Sequence, residues 1–180
     1  MLFRSSYNLN AYDTSATDRQ ILGGTVSLLN TSNATQSYVM SVMVSTVSQG
    51  ASSLTGGSVS GTLTGDAGGG FFAAGGAVPG WTAIIRKGAT DTTVASLWGS
   101  AFSVTADPSM VNSIPGANFG APIPSQPSVA MGDYAIMRFA FDLGAGDRAD
   151  FSTVFVIQSA VPAPGAIAAL ALLGVPCRRR

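Results

Sequence analysis

Apolar and polar residues alternate in short runs along most of this chain, and clusters of Gly, Ser, Asn and Pro separate the runs. Successive side chains of a β-strand point to opposite faces, so alternation with a period of two predicts strands that bury one face. The clearest run extends from Tyr134 to Leu143, where every second residue is apolar. Many short strands of this kind predict an all-β fold, an antiparallel β-sandwich of the jelly-roll or immunoglobulin-like kind.

The predicted strands are rich in β-branched and aromatic residues, and turn formers bound them on both sides. In chain order they are Thr25 to Leu29, Tyr38 to Val47, Gly57 to Thr64, a strand opened by Phe71 and Phe72, Trp81 to Ile85, Thr92 to Trp98, Ala101 to Thr105, Tyr134 to Leu143, and a last strand lined by Phe151, Thr153, Phe155 and Ile157. The segment from Asp107 to about Gln126 is rich in proline, which cannot donate to a strand ladder. It is therefore predicted to be a long irregular loop.

The last twenty residues differ from the rest of the chain and fall into three zones. A Pro-rich break comes first, an apolar run that predicts a short hydrophobic helix follows, and three arginines close the chain. The break consists of Val161, Pro162, Ala163, Pro164 and Gly165; the apolar run includes Ala166, Ile167, Leu170, Leu172, Leu173 and Val175; the basic end is Arg178, Arg179 and Arg180. A hydrophobic run followed by arginines enters a bilayer and stops, because the guanidinium groups stay in water or among the headgroups.

The apolar run is short for a membrane span. Thirteen helical residues, Gly165 to Cys177, rise roughly 20 Å, whereas the hydrocarbon core is about 30 Å thick. A stable span would require the arginines to snorkel or the preceding residues to enter the membrane. The alternatives are a C-terminal core helix or a disordered tail, but a soluble helix needs polar residues on one face. The tail thus predicts an exported chain held by its C-terminus.

The order of these zones resembles the PEP-CTERM sorting signal of bacterial proteins. That resemblance implies processing by an exosortase, a membrane-embedded cysteine protease, and an association with extracellular polysaccharide. Ala163 stands where the family motif has an acidic residue, so if recognition requires the acid, the tail anchors the chain without being cleaved. The stretches from Ser53 to Asp66, Trp81 to Ile85 and Leu143 to Phe151 are similar to ectodomains that carry this tail. This likeness implies a β-sandwich of unassigned function and supplies no catalytic residues to carry over.

The domain division follows from these patterns: residues 1–20 are a polar N-terminal segment, 21–160 the sandwich, and 161–180 the sorting and anchoring signal. Residues 1–20 lack the basic start and apolar run of a secretory signal peptide. The true start lies upstream, or the signal has been removed, or the tail has another role. We favour a truncated or mis-assigned start.

Composition argues against an enzyme and against a cofactor or metal. The chain has neither His nor Glu, so Ser-His-Asp and Cys-His catalytic arrangements and ordinary zinc sites cannot be built. Only aspartates remain for acid/base work, and most lie beside Gly or in turns: Asp66, Asp91, Asp107, Asp133, Asp142, Asp147 and Asp150. Calcium could use Asp142, Asp147 and Asp150 with turn carbonyls, but no EF-hand spacing occurs.

Charge argues against nucleic acid as a partner. Three of the nine basic residues are the terminal arginines, so a processed product has six basic and nine acidic residues, a net charge of about −3. Phosphate neutralisation requires a basic surface instead. The single cysteine, Cys177, lies in the tail, so no internal disulfide can form.

Three functions remain. The first is an exported, non-catalytic surface or extracellular-matrix protein. Its partners would be an exosortase-type protease and the membrane, and after processing it would reach the cell surface or the medium. The second is a carbohydrate-binding module for envelope polysaccharide, with Trp81, Trp98 or Tyr134 as a platform on which sugar rings stack. Core packing is the preferred role of both tryptophans. A solvent-exposed tryptophan would support sugar binding, whereas burial would support a structural role. The third is an adhesive strand-edge module, indicated by low charge and Thr-, Val- and Ser-rich strands.

Overall fold

The computed structural model of the protein describes residues 3–13, 19–48 and 52–159, which form twelve β-strands. The strands are β1 (Phe3–Asp13), β2 (Arg19–Asn30), β3 (Gln36–Ser45), β4 (Ser53–Thr64), β5 (Gly70–Ala74), β6 (Trp81–Lys87), β7 (Thr90–Leu97), β8 (Phe102–Ala106), β9 (Val111–Phe119), β10 (Gln126–Ser128), β11 (Tyr134–Leu143) and β12 (Arg148–Ser159). The predicted all-β antiparallel fold is confirmed. The predicted C-terminal helix lies outside the described residues, and these contain no helix suited to crossing a membrane.

The strands form two six-stranded antiparallel sheets. In the first sheet the order is β1-β2-β12-β4, and β9 and β10 both pair with the remaining edge of β4. In the second sheet β11 lies at the centre. Because β3 and β6 both pair with residues 134–139 of β11, they lie on opposite sides of it. β7 pairs with the other edge of β6. β5 pairs with residues 141–143 of β11 on the same side as β6, and β8 pairs with β5.

Aromatic side chains from the two sheets meet in one core. The ring centroid of Phe151 on β12 lies 5.1 Å from that of Phe141 and 5.3 Å from that of Phe139, both on β11. Full burial of a side chain of this size stabilises the fold by about 1.5–3 kcal/mol. Across the same interface, the indole N–H of Trp81 donates to the hydroxyl oxygen of Thr153 at 3.1 Å. The sheets therefore pack face to face as a sandwich.

The alternation that predicted β3 and β11 also predicted their buried faces. Tyr38 on β3 is buried, and Met40, Val42 and Val44 pack against the core, as the pattern indicated. On β11 every residue of the predicted apolar set is buried, and the observed strand has the predicted ends.

One prediction is wrong: the proline-rich segment contains a strand, β9. Pro115 lies where the register with β4 shifts, between the pairs Gly61↔Ile114 and Val59↔Ala117. A proline is tolerated at such a bulge on an edge strand, because its missing N–H is not needed there. The carbonyl oxygen of Pro115 also accepts a hydrogen bond from the indole of Trp98 at 2.9 Å.

At the N-terminus, the first sheet includes residues that the sequence division left outside the sandwich. β1 pairs with β2 from Phe3↔Asn30 to Asp13↔Gln20. The described sheet thus begins at Phe3, and β1 forms one of its edges.

Candidate functional site

The solvent-facing side of the second sheet brings an exposed tyrosine next to an ion pair. Because side chains alternate along a strand, Tyr134 and Arg138 of β11 point away from the core. The register places Tyr134 opposite Arg86 of β6, and Arg86 opposite Asp91 of β7. Met43 of β3 lies one row further along the same face. We call this surface the Tyr134 face: Tyr134, Arg86, Asp91, Arg138 and Met43.

Arg86 and Asp91 form a bidentate ion pair on this face. Nε of Arg86 lies 2.5 Å from Oδ1 of Asp91, and Nη2 lies 2.9 Å from Oδ2. The third guanidinium nitrogen, Nη1, lies 3.8 Å from the sulfur of Met43. Two parallel hydrogen bonds hold the guanidinium plane in one orientation. The result is a fixed planar array of donors and acceptors that is still about one-third exposed to solvent.

The ion pair changes the acidity of both partners. The hydrogen bond from Arg86 lowers the pKa of the Asp91 carboxyl below its ordinary value of 3.8, and the positive charges of Arg86 and Arg138 act in the same direction against partial desolvation. The hydrogen bond to Asp91 correspondingly raises the pKa of Arg86. Both side chains are therefore charged at neutral pH.

Two buried isoleucines lie on the outer side of the sheet beside the ion pair. Ile136 of β11 and Ile84 of β6 face each other on the outer side of the sheet, and Met43 lies opposite Ile136 on β3. Although they point outwards, both isoleucines are buried, whereas Met43 is 52% exposed. Because neighbouring side chains cover the two isoleucines, the surface that a ligand could contact here is formed by Tyr134, Met43 and the ion pair.

Tyr134 supplies the aromatic group of this surface. Its side chain is 37% exposed at the start of β11. An aromatic ring can pack against the C–H face of a sugar ring, while its phenol and the neighbouring carboxylate and guanidinium can exchange hydrogen bonds with hydroxyl groups. The Tyr134 face therefore has the chemistry needed to hold a sugar.

Burial of both tryptophans corrects the alternative in which Trp81 and Trp98 stack against a ligand. Trp81 occupies an inward position of β6, is completely buried, and has its ring centroid 6.0 Å from that of Phe119. Trp98 is 8% exposed and packs 6.2 Å from Phe72. Each indole N–H already donates within the protein, so the rings contribute area to the core and offer no face to a sugar.

The three aspartates considered for calcium serve separate local contacts. Asp142 accepts a hydrogen bond from the hydroxyl of Ser37 at 2.5 Å, and Asp150 accepts one from Arg148 at 2.8 Å. Asp147 is buried and accepts from backbone N–H groups. Among the described residues, no three side chains of His, Cys, Asp or Glu gather in a way that could hold a metal ion.

The sequence interpretation named Tyr134 but missed its neighbours Arg86, Asp91, Arg138 and Met43. A signal for the ion pair was present, since Arg86 and Asp91 flank a short turn at Gly88 and Ala89 in equivalent positions. A two-residue hairpin turn fixes which residues face each other. Counting outwards from that turn would have paired them.

Comparisons with known proteins assign this chain to no family. No protein-family model and no curated protein matches the chain. Among solved structures, that of TmCBM61 in complex with β-1,4-galactotriose is similar at a TM-score of 0.32 and 9% identity, covering 87% of this chain and 88% of that one. The structure of infectious bursal disease virus Gx strain is similar at a TM-score of 0.20 and 10% identity, covering 90% of this chain and 37% of that one. Neither likeness, at such TM-scores, supports a conclusion about this chain.

Proposed function

We propose that the protein is an exported, non-catalytic component of the cell surface or extracellular matrix, delivered by a PEP-CTERM-like C-terminal signal. The observation that carries this proposal is the succession of a Pro-rich break at residues 161–165, an apolar run, and the arginines at 178–180. An apolar run with a basic end is retained in the membrane because moving the arginines through hydrocarbon is costly. Processing at the break by an exosortase-type protease would then release the sandwich.

Removal of the three terminal arginines tests the retention step. We expect the shortened protein to be lost from the membrane fraction while the sandwich still folds, because the charges that stop translocation lie outside it. A matched control replaces all three arginines by lysine, which keeps the charge and should keep the protein with the membrane. Undiminished membrane retention of the shortened protein would contradict the proposed topology.

A second function, carbohydrate binding, is supported by the Tyr134 face. The exposed Tyr134 lies opposite Arg86, which forms a bidentate ion pair with Asp91. In this proposal Tyr134 stacks against a sugar ring, and the edges of Arg86 and Asp91 bind its hydroxyl groups. The ligand class is a neutral or weakly charged envelope polysaccharide, since the face carries both signs of charge.

Substitution of the tyrosine tests this second function. Tyr134→Ala should weaken polysaccharide binding at least about tenfold, equivalent to about 1.4 kcal/mol, in gel electrophoresis through a series of embedded polysaccharides. Phe71→Ala is the matched control, because Phe71 is also 37% exposed but lies on β5, away from the ion pair. Equal retardation of the wild type and Tyr134→Ala, or an equal loss in both variants, would refute binding at this face.

A further inference from the structure

Among the described residues, strand β3 has one neighbour in its sheet. It pairs with β11 along its whole length, from Gln36↔Leu143 to Ser45↔Tyr134. In the described part of the chain, no strand pairs with the opposite edge of β3. Alternate backbone N–H and C=O groups along that edge are therefore available for a further strand. We call this segment, from Ser37 to Ser45, the β3 edge.

Most of the other sheet edges carry features that discourage pairing, and the β3 edge does not. β1, an edge of the first sheet, has eleven residues in regular register but contains the charged residues Arg4 and Asp13. β9 contains Pro115 and a bulge, β10 has three residues including Pro127, β8 has five residues, and the register of β7 with β6 is shifted. Prolines, bulges and short length are the usual protection of exposed edges. β3 has ten residues without proline, charge or register shift.

The outer side of the β3 edge alternates serine with exposed apolar residues. Val39 is 74% exposed and Met43 is 52% exposed, whereas Ser37, Ser41 and Ser45 occupy the positions around them. The pattern is symmetric about Ser41. Reading outwards from it in both directions gives Met40 and Val42, then Val39 and Met43, then Tyr38 and Val44, and finally the two serines at 37 and 45.

We propose that the β3 edge pairs antiparallel with the β3 edge of a second copy of this chain, across a two-fold axis at Ser41. In that register Ser41 lies opposite its own equivalent, Val39 opposite Met43, and Met40 opposite Val42. Such self-complementarity is what a two-fold interface requires, since the same surface serves both sides. A ladder over Ser37 to Ser45 contains on the order of ten hydrogen bonds, as many as a typical stable interface.

Charge is compatible with this pairing. The edge itself is uncharged, and two cations lie beside it: Arg138, opposite Ser41 on β11, and Arg86, whose guanidinium lies 3.8 Å from the sulfur of Met43 and is paired with Asp91. Strands in a sheet are about 4.8 Å apart, so three steps separate the two Arg138 backbones by roughly 14 Å. That exceeds the Debye length of about 8 Å at physiological ionic strength. The pairing would join the second sheet of each copy into one continuous sheet, with both Tyr134 faces on the same side of it.

Introducing like charges at the axis tests the proposal. Full-length wild type, Ser41→Lys and Ser96→Lys are compared by sedimentation equilibrium in the same non-ionic detergent, with circular dichroism as the check of folding. Ser96 is the control because it is also exposed but lies on β7, at the other side of the sheet. We expect a dimer for the wild type and Ser96→Lys, and a dissociation constant at least tenfold higher for Ser41→Lys. A monomeric wild type would overturn the proposal. Equal association of the wild type and both folded variants would also overturn it, because that result is expected if the chains associate through the apolar tail.

A cross-link tests the register without relying on a charged variant. In a Cys177→Ser background, Ser41→Cys should form a disulfide-linked dimer on mild oxidation, because directly opposed residues lie about 4.5–5.5 Å apart between Cα atoms and disulfides span about 4.4–6.8 Å. Ser96→Cys in the same background should remain monomeric. Absence of the cross-link at Ser41, or equal cross-linking at Ser96, would contradict pairing about this axis.

Discussion

Two buried polar residues, Asn30 and Asp147, hold together the turns at one end of the sandwich. The carboxylate of Asp147 accepts hydrogen bonds from the backbone N–H groups of Asp66 at 3.1 Å and Phe71 at 2.8 Å. The amide of Asn30 donates to the carbonyl oxygens of Leu143 at 3.0 Å and Gly144 at 2.8 Å. The two side chains thus connect the β11–β12 turn with the end of β2 and with the turn between β4 and β5.

Removing the carboxylate of Asp147 should destabilise the protein. Asp147→Ala deprives two part-buried N–H groups of their acceptor, and we expect a loss of about 2–5 kcal/mol in the free energy of unfolding. Urea denaturation measures this quantity. The matched control is Asp150→Ala, which removes an exposed ion pair with Arg148 and should cost less than about 1 kcal/mol. Similar losses in both variants would show that burial of Asp147 does not matter.

The acidity of Asp91 tests the geometry of the Tyr134 face. Its folded pKa is below the ordinary 3.8, so the contribution of its ion pair to stability is complete above that value and is lost as pH falls through the folded pKa. Nuclear magnetic resonance titration of the carboxyl should therefore give a midpoint below 3.8. Arg86→Gln should raise it, whereas Arg148→Gln should leave it unchanged. A midpoint at or above 3.8 in the wild type would contradict the bidentate pair.

At the residue scale, the sequence identified the exposed tyrosine but not the residues that surround it. Tyr134 was recognisable as the first residue of an alternating strand, and the parity of its strand predicted its outward direction. The pairing of Arg86 with Asp91 follows from a two-residue turn at Gly88 and Ala89, which the sequence interpretation did not use to set the register of the two strands. The roles of Asp142, Asp147 and Asp150 depend on contacts with residues distant in sequence, such as Ser37 and Phe71.

At the element scale, alternation predicted strands well where one face is buried, as in β3 and β11. It failed where proline interrupts the pattern, because the bulge that admits Pro115 exists only through pairing with β4. The association of strands into sheets could not be predicted. β3 and β11, for example, are about 100 residues apart in the chain, and nothing local specifies their pairing.

The single hydroxyl of Thr153 on β12 should contribute measurably to contact between the sheets. It accepts a hydrogen bond from Trp81 at 3.1 Å and donates one to the carbonyl oxygen of Ser58 at 3.0 Å. Thr153→Val keeps the shape and leaves the buried indole N–H without this acceptor, so we expect a loss of about 1–3 kcal/mol in thermal unfolding.

Ser152→Ala is the control for Thr153→Val. Ser152 is the neighbouring residue on β12 and is exposed on the opposite face, so its change should stay within about 0.5 kcal/mol. If Thr153→Val were as stable as the wild type, the hydrogen bond between the sheets would be of no energetic consequence.

At the scale of the whole molecule, the sequence predicted an all-β fold and the structure confirms it. The apolar alternation of the strands is consistent with two sheets that each have a buried face, and the shared core of Phe139, Phe141 and Phe151 is the result. Both proposed functions depend on other residues. The export proposal depends on residues 161–180, which lie outside the described part of the chain, and the binding proposal depends on the outer side of one sheet.

The intact mass of the protein from its native cells tests the export proposal most directly. The membrane, periplasmic and medium fractions are separated first, and the mass in each fraction identifies where the chain ends. We predict a species that ends near Pro162 to Gly165 and is found outside the membrane, which would make Ala163 a tolerated variant of the motif. A full-length chain ending at Arg180 in the cytoplasm would contradict the proposal.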